Sequence, residues 1–522
     1  MDLNALPTGI AALHAIIATQ AEALAAAKAG LVSKTLEVEK LRIELARLKR
    51  MQFGRSSEKI ARAVEQLELA LEEAEAAVAA DTPAAPPPEG EKGDAQPVAR
   101  RNRTRRPLPE HLPREQVVHD SADTCPACGG TMRKVGEDVT EILDYVPGHF
   151  RVIRHVRPAY SCRSCEGMVQ APMPSLPIER GLPSAALLAH VLTSKYCDHL
   201  PLYRQSAIYA RDGVDLDRAL LAEWVGKAAA LVRPLVEAIE AYVMAGAHLH
   251  GDDTPVPVLA PGTGKTKTGR LWVYLRDERP WAGPAPPAVA YRYSPDRKGE
   301  RPQGHLATFR GHLHADGYAG FGDLYLAKDG KPPPVTEVAC WAHVRRKLYD
   351  IHVADKAPIA EDALRRIGAL FDVERAAAGL APDQRRALRQ AQARPVMDDL
   401  AVFLDASLAR LSGKAELAKA IRYARSRWMQ LTRYLNDGHL EISNNAAERA
   451  IRPLAVGRKN WLFAGSDVGG ERAAAVYTLT ETAKLSGLDP EAYLCDVLAR
   501  IADHPVNRIG ELLPWNLATI PA

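Results

Sequence analysis

No apolar run in this 522-residue chain approaches the roughly 20 residues a bilayer-spanning helix needs. Residues 1–20 start acidic, at Asp2, and lack the basic-then-apolar order of a secretory signal. Neither charge sign is in great excess. At a net charge of +4, bulk electrostatics neither demand nor exclude a polyanionic partner, and clustering has to decide. Cysteine is scarce. Of the seven, four fall in two Cys-x-x-Cys pairs, which points away from a disulfide framework and toward metal binding in a reducing compartment. What is present is ordinary for folded protein, 47% apolar and 25% charged. The length implies roughly three or four folded units. The expectation is a soluble, cytoplasmic, multidomain α+β protein with no membrane segment.

Leu24, Leu31, Val38 and Leu45 recur every seventh residue, with Leu41 and Leu48 joining late and Glu37, Glu39, Lys40, Arg42 and Glu44 on the flanks. This spacing predicts a short coiled coil and a homo-oligomer; since Lys28 and Lys34 interrupt the early seam, an amphipathic helix packed on its own chain is the alternative. Gly54 ends that helix and Ser56 or Ser57 caps another through Leu67, Leu71 and Val78, so residues 1–80 read as helical. Residues 81–113, rich in proline, read as a linker. Its Arg100, Arg101, Arg103, Arg105 and Arg106 offer either salt-sensitive phosphate contacts or simple solvated charge.

Cys125-Pro-Ala-Cys128 and Cys162-Arg-Ser-Cys165 can each set two thiolates on one side of a tight turn, and two such knuckles complete one tetrahedral structural zinc site. Residues 139–145 and 150–157 alternate like strands, so 114–180 reads as a zinc ribbon carrying a hairpin; a redox pair is the alternative. Residues 181–245 are helical, with a break at Gly213 and an Asp217 cap over 218–231. That pattern suits helix-turn-helix DNA binding and any helical bundle equally.

From residue 246 the pattern changes to strands. His248-Leu-His-Gly-Asp252-Asp253 reads as a strand ending in acids, 270–276 and 288–293 as two more, and 311–316 as a strand ending in Asp316. A fifth, 335–343, enters a helix over 344–351. Together 246–354 predict the first part of an α/β core, 355–437 a helical insertion, 438–487 the rest of the core, and 488–522 a C-terminal helical segment. Pro261-Gly-Thr-Gly-Lys265-Thr266 mimics a phosphate loop, but the motif's first glycine would fall at Leu259, so it reads as a hairpin turn.

Glu448 sits in a helix-like run capped by Ser443 or Asn444, with Ile451 and Leu454 as buried positions. Arg449, Arg452, Arg458, Lys459 and Trp461 follow it, as DNA contacts or as a solvated basic face. Two strand-end carboxylates plus one on a helix can hold two divalent ions about 4 Å apart, and hard oxygen ligands select magnesium or manganese. Strand-end aspartates are also ordinary turn chemistry.

Several longer matches bear on the choice. They are Phe53-Gly-Arg-Ser-Ser-Glu-Lys59, the two knuckles, Lys195-Tyr-Cys-Asp-His-Leu-Pro-Leu-Tyr-Arg204, Asp252-Asp-Thr-Pro-Val256, Asp316-Gly-Tyr318 and Cys340-Trp-Ala-His-Val-Arg-Arg-Lys347, then Asn444-Asn-Ala-Ala-Glu-Arg-Ala-Ile-Arg-Pro453 through Gly465. In these the chain resembles, nearly end to end, DDE transposases of the insertion-sequence-66 family. The resemblance implies a ribonuclease H-like core and carries the catalytic, metal-binding triad onto Asp252, Asp316 and Glu448. It also implies an N-terminal region that binds the element's terminal inverted repeats, target DNA as second substrate, and small accessory proteins of the same element. Where the family usually has Asp-Glu-Thr this chain has Asp252-Asp253-Thr254, which leaves Asp253 as an alternative ligand. Ser443 stands where Asp is frequent, and Glu441 is the fallback for Glu448. Cys340 and His343 are half a metal site and read as strand-to-helix packing near the active site. The expected function is metal-dependent hydrolysis at element ends and transfer of the 3′ hydroxyls into target DNA. The alternatives are a non-catalytic DNA-binding remnant acting as a repressor, and a ribonuclease H-like repair nuclease.

Overall fold

The computed structural model describes residues 108–517, except 109, 111, 120–131, 147, 180, 261–264, 328, 329 and 462. The expected coiled coil, the basic run at 100–106, Cys125 and Cys128, and the turn at 261–264 lie outside the described residues. Among the described residues, no helix is long and apolar enough to cross a membrane.

Strands β1 (Arg114–Val118), β2 (Met132–Val146), β3 (His149–Cys162) and β4 (Met168–Gln170) form a small sheet; β3 runs parallel to β1 and antiparallel to β2 and β4. The expected hairpin is β2–β3. Leu143, Phe150 and Val152 face the apolar core, alongside Leu187 and Leu188 of helix α1 (Ala185–Tyr196). The join is polar as well. Buried Asp144 accepts from Arg151 Nε at 2.6 Å and from the Ser184 hydroxyl, and Ser184 caps α1 by accepting from the Leu187 amide. Helices α2 (Leu202–Arg211), α3 (Arg218–Leu231) and α4 (Arg233–Met244) follow, with Asp217 capping α3 through the Leu220 amide at 2.8 Å.

The main sheet contains β5 (His248–Ala260), β6 (Lys265–Arg276), β7 (Ala288–Ser294), β8 (Gly311–Ala315) and β9 (Val335–Ala339), in the order β7-β6-β5-β8-β9. The β5–β6 and β6–β7 pairs are antiparallel, whereas β8 and β9 run parallel to β5. A short helix α5 (Glu300–His305) lies between β7 and β8. Asp252 and Asp253 do not end their strand as expected, because β5 continues to Ala260. What ends near them is the pairing with β8, whose last β5 partner is His250. Pro255 and Pro257 are tolerated for the same reason. Odd-numbered residues here turn their backbone groups away from β6: the Pro257 carbonyl accepts from the Ala464 amide at 2.8 Å, and the Leu259 amide donates to the Ala464 carbonyl. Their missing N–H groups therefore face an edge that β8 has already left.

Helix α6 (Trp341–Asp355) starts three residues before the expected Val344. The Trp341 amide donates to the Ile442 carbonyl at 3.0 Å and its buried indole to the Leu431 carbonyl at 2.9 Å, which fixes the early first turn. Helices α7 (Pro358–Ala377), α8 (Pro382–Leu388), α9 (Arg394–Arg410), α10 (Glu416–Ser426) and α11 (Trp428–Thr432) surround a second core that includes Ile367, Leu370, Leu400 and Ile421. Helix α12 (Asn445–Trp461) returns to the main sheet, followed by α13 (Asp467–Leu485) and α14 (Pro490–Arg500). Thr478 and Thr482 of α13 bond the backbone of Tyr291 and Val289, so edge strand β7 is covered.

Candidate active site

Asp252 on β5, Asp316 one residue beyond β8, and Glu448 in the first turn of α12 come together just past the point where β5 and β8 stop pairing, close enough for the other two charges to act on Asp252. Burial, and after it the negative charges of Asp316, Asp253 and Glu448, push the Asp252 carboxyl up to about 7, against the pull of the Asp253 amide. The Asp252 carboxylate accepts that amide at 2.8 Å, and Asp316 accepts the Tyr318 amide at 2.9 Å. Glu448 Oε2 accepts from Arg346 at 3.0 Å, while Oε1 is buried without a hydrogen-bond partner among the described residues. An under-satisfied carboxylate oxygen beside a carboxyl that resists ionisation is the environment a divalent cation would relieve.

Strand alternation separates the two adjacent aspartates. The Asp253 side chain is only 2% exposed and its oxygens are held by Arg270 at 3.0 Å and Arg297 at 2.8 Å. Glu441 is paired with Arg385. Both alternative ligands are thus engaged in ion pairs.

The acids are positioned by contacts distant in sequence. Asn444 stands at the head of α12, where its carbonyl accepts the Ala447 and Glu448 amides. Its side chain does not cap the helix as expected. The amide donates to the Gly251 carbonyl at 2.9 Å and its oxygen meets His250 Nδ1 at 3.1 Å, which fastens the Glu448 helix to the residue before Asp252. Gly317, at φ +84°, lets the chain turn after Asp316; a Cβ there would meet the Arg427 guanidinium at 2.7 Å. From the insertion, fully buried Arg389 binds both oxygens of Glu374 at 2.8 and 2.6 Å and donates to the Tyr434, Asp437 and Leu440 carbonyls. Arg385 adds the Gly438 carbonyl at 2.8 Å. These guanidinium groups hold the segment that feeds α12.

His343, expected to pack near the active site, has its Nε2 3.8 Å from Glu448 Oε1. Burial holds its pKa below the ordinary histidine value despite the nearby Glu448 charge. Cys340 Sγ accepts the Asn444 amide at 3.1 Å, and donor atoms of Cys340, His343 and Glu448 lie within 4.8 Å of one another. The signal in the sequence was helical spacing: His343 and Arg346 are three apart and share a face of α6.

Beside Glu448 opens a cavity of about 1000 Å³ whose walls include Arg345, Arg346, Arg375, Arg449 and Arg452. Arg449, Arg452 and Lys459 are exposed. Arg458 is partly buried and donates to the Pro255 carbonyl, and Trp461 packs half-buried against the core; both hold α12 in place. Leu454 is buried and Ile451 only partly so. In the small sheet, Cys162 ends β3, its Sγ accepts the Ser164 amide at 3.4 Å, and the turn to Cys165 closes with the Glu166 amide on the Cys162 carbonyl. This tight, thiol-directed turn fits one half of a thiolate metal site.

The profile of the Transposase IS66 family matches residues 180–472, spanning the helices before the main sheet through the start of α13. That of the zinc-finger binding domain of transposase IS66 matches 122–166, that of Transposase C of IS166 homeodomain 40–117, and the IS66 C-terminal element 478–515. The uncharacterized protein y4hP of Sinorhizobium fredii is 43% identical over 498 residues, covering 93% of this chain and 88% of the relative. A second, y4qI of the same organism, is 39% identical over 530 residues, covering 98% and 97%. Four profiles in chain order, with relatives matched almost throughout, establish that the chain belongs to the Transposase IS66 family.

Proposed function

We propose that the chain is a DDE-type DNA transposase that hydrolyses phosphodiester bonds at its element's ends and transfers the freed 3′ hydroxyls into target DNA, with Asp252, Asp316 and Glu448 as catalytic residues. The observation that carries this reading is the convergence of three acids on a site where burial and mutual repulsion hold the Asp252 carboxyl at about 7. The strand order, with β5 central, β6 and β7 antiparallel and β8 and β9 parallel, supports a ribonuclease H-like core.

Asp252, Asp316 and Glu448 would hold two magnesium or manganese ions, which when bound lower the pKa of the attacking water or hydroxyl and stabilise the leaving oxygen. The chain's own residues supply the rest. Asp252 would bind as the carboxylate, the form that nearby positive charge favours. Arg346 neutralises Glu448 in the metal-free chain and is placed to turn toward a phosphate. Arg449 and Arg452, exposed beside Glu448, offer contacts for the strand next to the scissile bond. Cys125, Cys128, Cys162 and Cys165 are read as the ligands of one structural zinc, supported by the zinc-finger profile and the turn at Cys162. The heptads at 24–48 support self-association, and the basic linker supports contact with terminal-repeat DNA.

Single Asp252→Ala, Asp316→Ala and Glu448→Ala chains, assayed for strand transfer with magnesium, test the assignment. Each is expected to lose joining while retaining element-end binding. Activity retained by any one removes that residue from the triad, and tight binding without nicking by the unaltered chain favours the repressor reading.

A further inference from the structure

The pentapeptide His-Leu-His-x-Asp occurs twice, at 248–252 and 312–316, and the main sheet aligns the two copies. β5 and β8 pair in parallel with His248 opposite His312 and His250 opposite His314. Alternation places all four imidazoles on one face, and the pairs stack: His248 on His312 at 5.3 Å and 8°, His250 on His314 at 4.4 Å and 20°. The result is a ladder of two rungs leading toward Asp252 and Asp316.

The rungs differ in what covers them. The inner rung is buried and satisfied, His250 by Asn444 and His314 by the Leu249 carbonyl and the Glu441 amide. The outer rung is half-buried, and neither His248 nor His312 makes a side-chain hydrogen bond among the described residues. Facing it is Asp437, on the segment between α11 and α12, and donor atoms of His248, His312 and Asp437 all lie within 4.8 Å of one another. His439 also stacks on His248 at 5.1 Å and bonds Asp437 Oδ1 through Nδ1 at 2.8 Å. Trp281 closes the edge, 5.6 Å from His248.

We propose that His248, His312 and Asp437 form a second metal site, distinct from both the cysteine knuckles and the acid triad, that takes a zinc-class divalent ion. Two imidazoles and one carboxylate are the donor set of tetrahedral zinc chemistry with one position left for water, and softer nitrogen donors disfavour magnesium. His439, held on Asp437, is an outer-shell partner that orients the carboxylate. His248 lies four residues before Asp252, about 13 Å along the strand, too far to share an ion with the triad. Its role is mechanical. The ion clips the segment after the insertion to the starts of β5 and β8, and so fixes the approach of α12 from the side opposite the acids.

Metal counting on the full-length chain tests this without reference to strand transfer. Chelator-stripped protein is titrated with Co²⁺ in excess Mg²⁺, which keeps the acid triad occupied. The unaltered chain should bind two equivalents tightly, one with an intense thiolate charge-transfer band and one with only the weaker visible bands of nitrogen and oxygen ligation. His312→Ala, and the near-isosteric Asp437→Asn, should each weaken the second equivalent by at least about 100-fold, the upper end of an outer-shell loss, with the thiolate band intact. Cys125→Ser should do the reverse. A single, thiolate-only equivalent in the unaltered chain, or two equivalents retained by both His312→Ala and Asp437→Asn, would overturn the proposal.

Discussion

Replacing Asp252 by Asn should stabilise the metal-free chain while abolishing its chemistry. The Asp252 carboxyl rises from its ordinary 3.8 to about 7, first through burial and then through the charges of Asp316, Asp253 and Glu448. The folded chain therefore binds this proton more tightly than the unfolded chain does. Between pH 4 and 7 the folded state holds a proton that the unfolded state has lost, so stability falls as pH rises through that window, and the full cost is present above about pH 7. The interval from 3.8 to about 7 corresponds to about 4 kcal/mol, an upper figure because the site is partly open to solvent. Asn cannot ionise and can keep the 2.8 Å bond from the Asp253 amide. Unfolding in chelator should then show Asp252→Asn roughly equal to the unaltered chain near pH 4 and more stable by up to about 4 kcal/mol at pH 8. Fully buried Trp272, on the neighbouring strand, is a suitable fluorescence probe. Magnesium should close the gap by stabilising only the unaltered chain. A variant equally stable or less stable at pH 8, with no change in the difference between the two pH values, would refute the electrostatic reasoning.

Arg389→Ala leaves three backbone carbonyls without their guanidinium and Glu374 with only Arg385, at 3.6 Å, so denaturant unfolding should show a loss of about 3 kcal/mol; a loss under about 1 kcal/mol would contradict the role given to this contact. Arg346→Ala removes the cation that competes for Glu448. Because Arg346 is 57% exposed the pair is weak, and calorimetry should show magnesium binding tightened by no more than about fivefold, never weakened. Replacing Arg449 and Arg452 together by Ala should weaken DNA binding irrespective of sequence and lower the slope of log affinity against log salt by about 2; an unchanged slope would remove them from the DNA face.

Local chemistry was legible in the sequence. Asp217 caps α3, Asp316 follows β8 at once, and the alternating segments between the knuckles form the β2–β3 hairpin. The strand expected to end at Asp252 and Asp253 runs on to Ala260 through Pro255 and Pro257, because sequence does not say which edge a proline's missing N–H will face; here it faces one that β8 has left. Asn444 read as a helix cap by residue type, but tertiary contact with Gly251 and His250, almost two hundred positions earlier, claims its side chain. The same limit hid Asp437 beside the histidine ladder, since that pairing depends on how the insertion returns to the sheet. Asp252 and Asp253 are neighbours in sequence, and pleat alternation alone gives one to the acid cluster and the other to Arg270 and Arg297.

The central claim is that the acid cluster works on a DNA phosphate through bound divalent metal. A sulfur atom in place of a non-bridging oxygen at the scissile phosphate of an element end tests it most directly, because sulfur binds magnesium poorly and manganese better. The account predicts that the full-length chain cleaves this substrate slowly with Mg²⁺, and that Mn²⁺ restores the rate toward that of the ordinary phosphate for one stereoisomer. Equal rates on both substrates with Mg²⁺, or cleavage that persists in chelator, would contradict it.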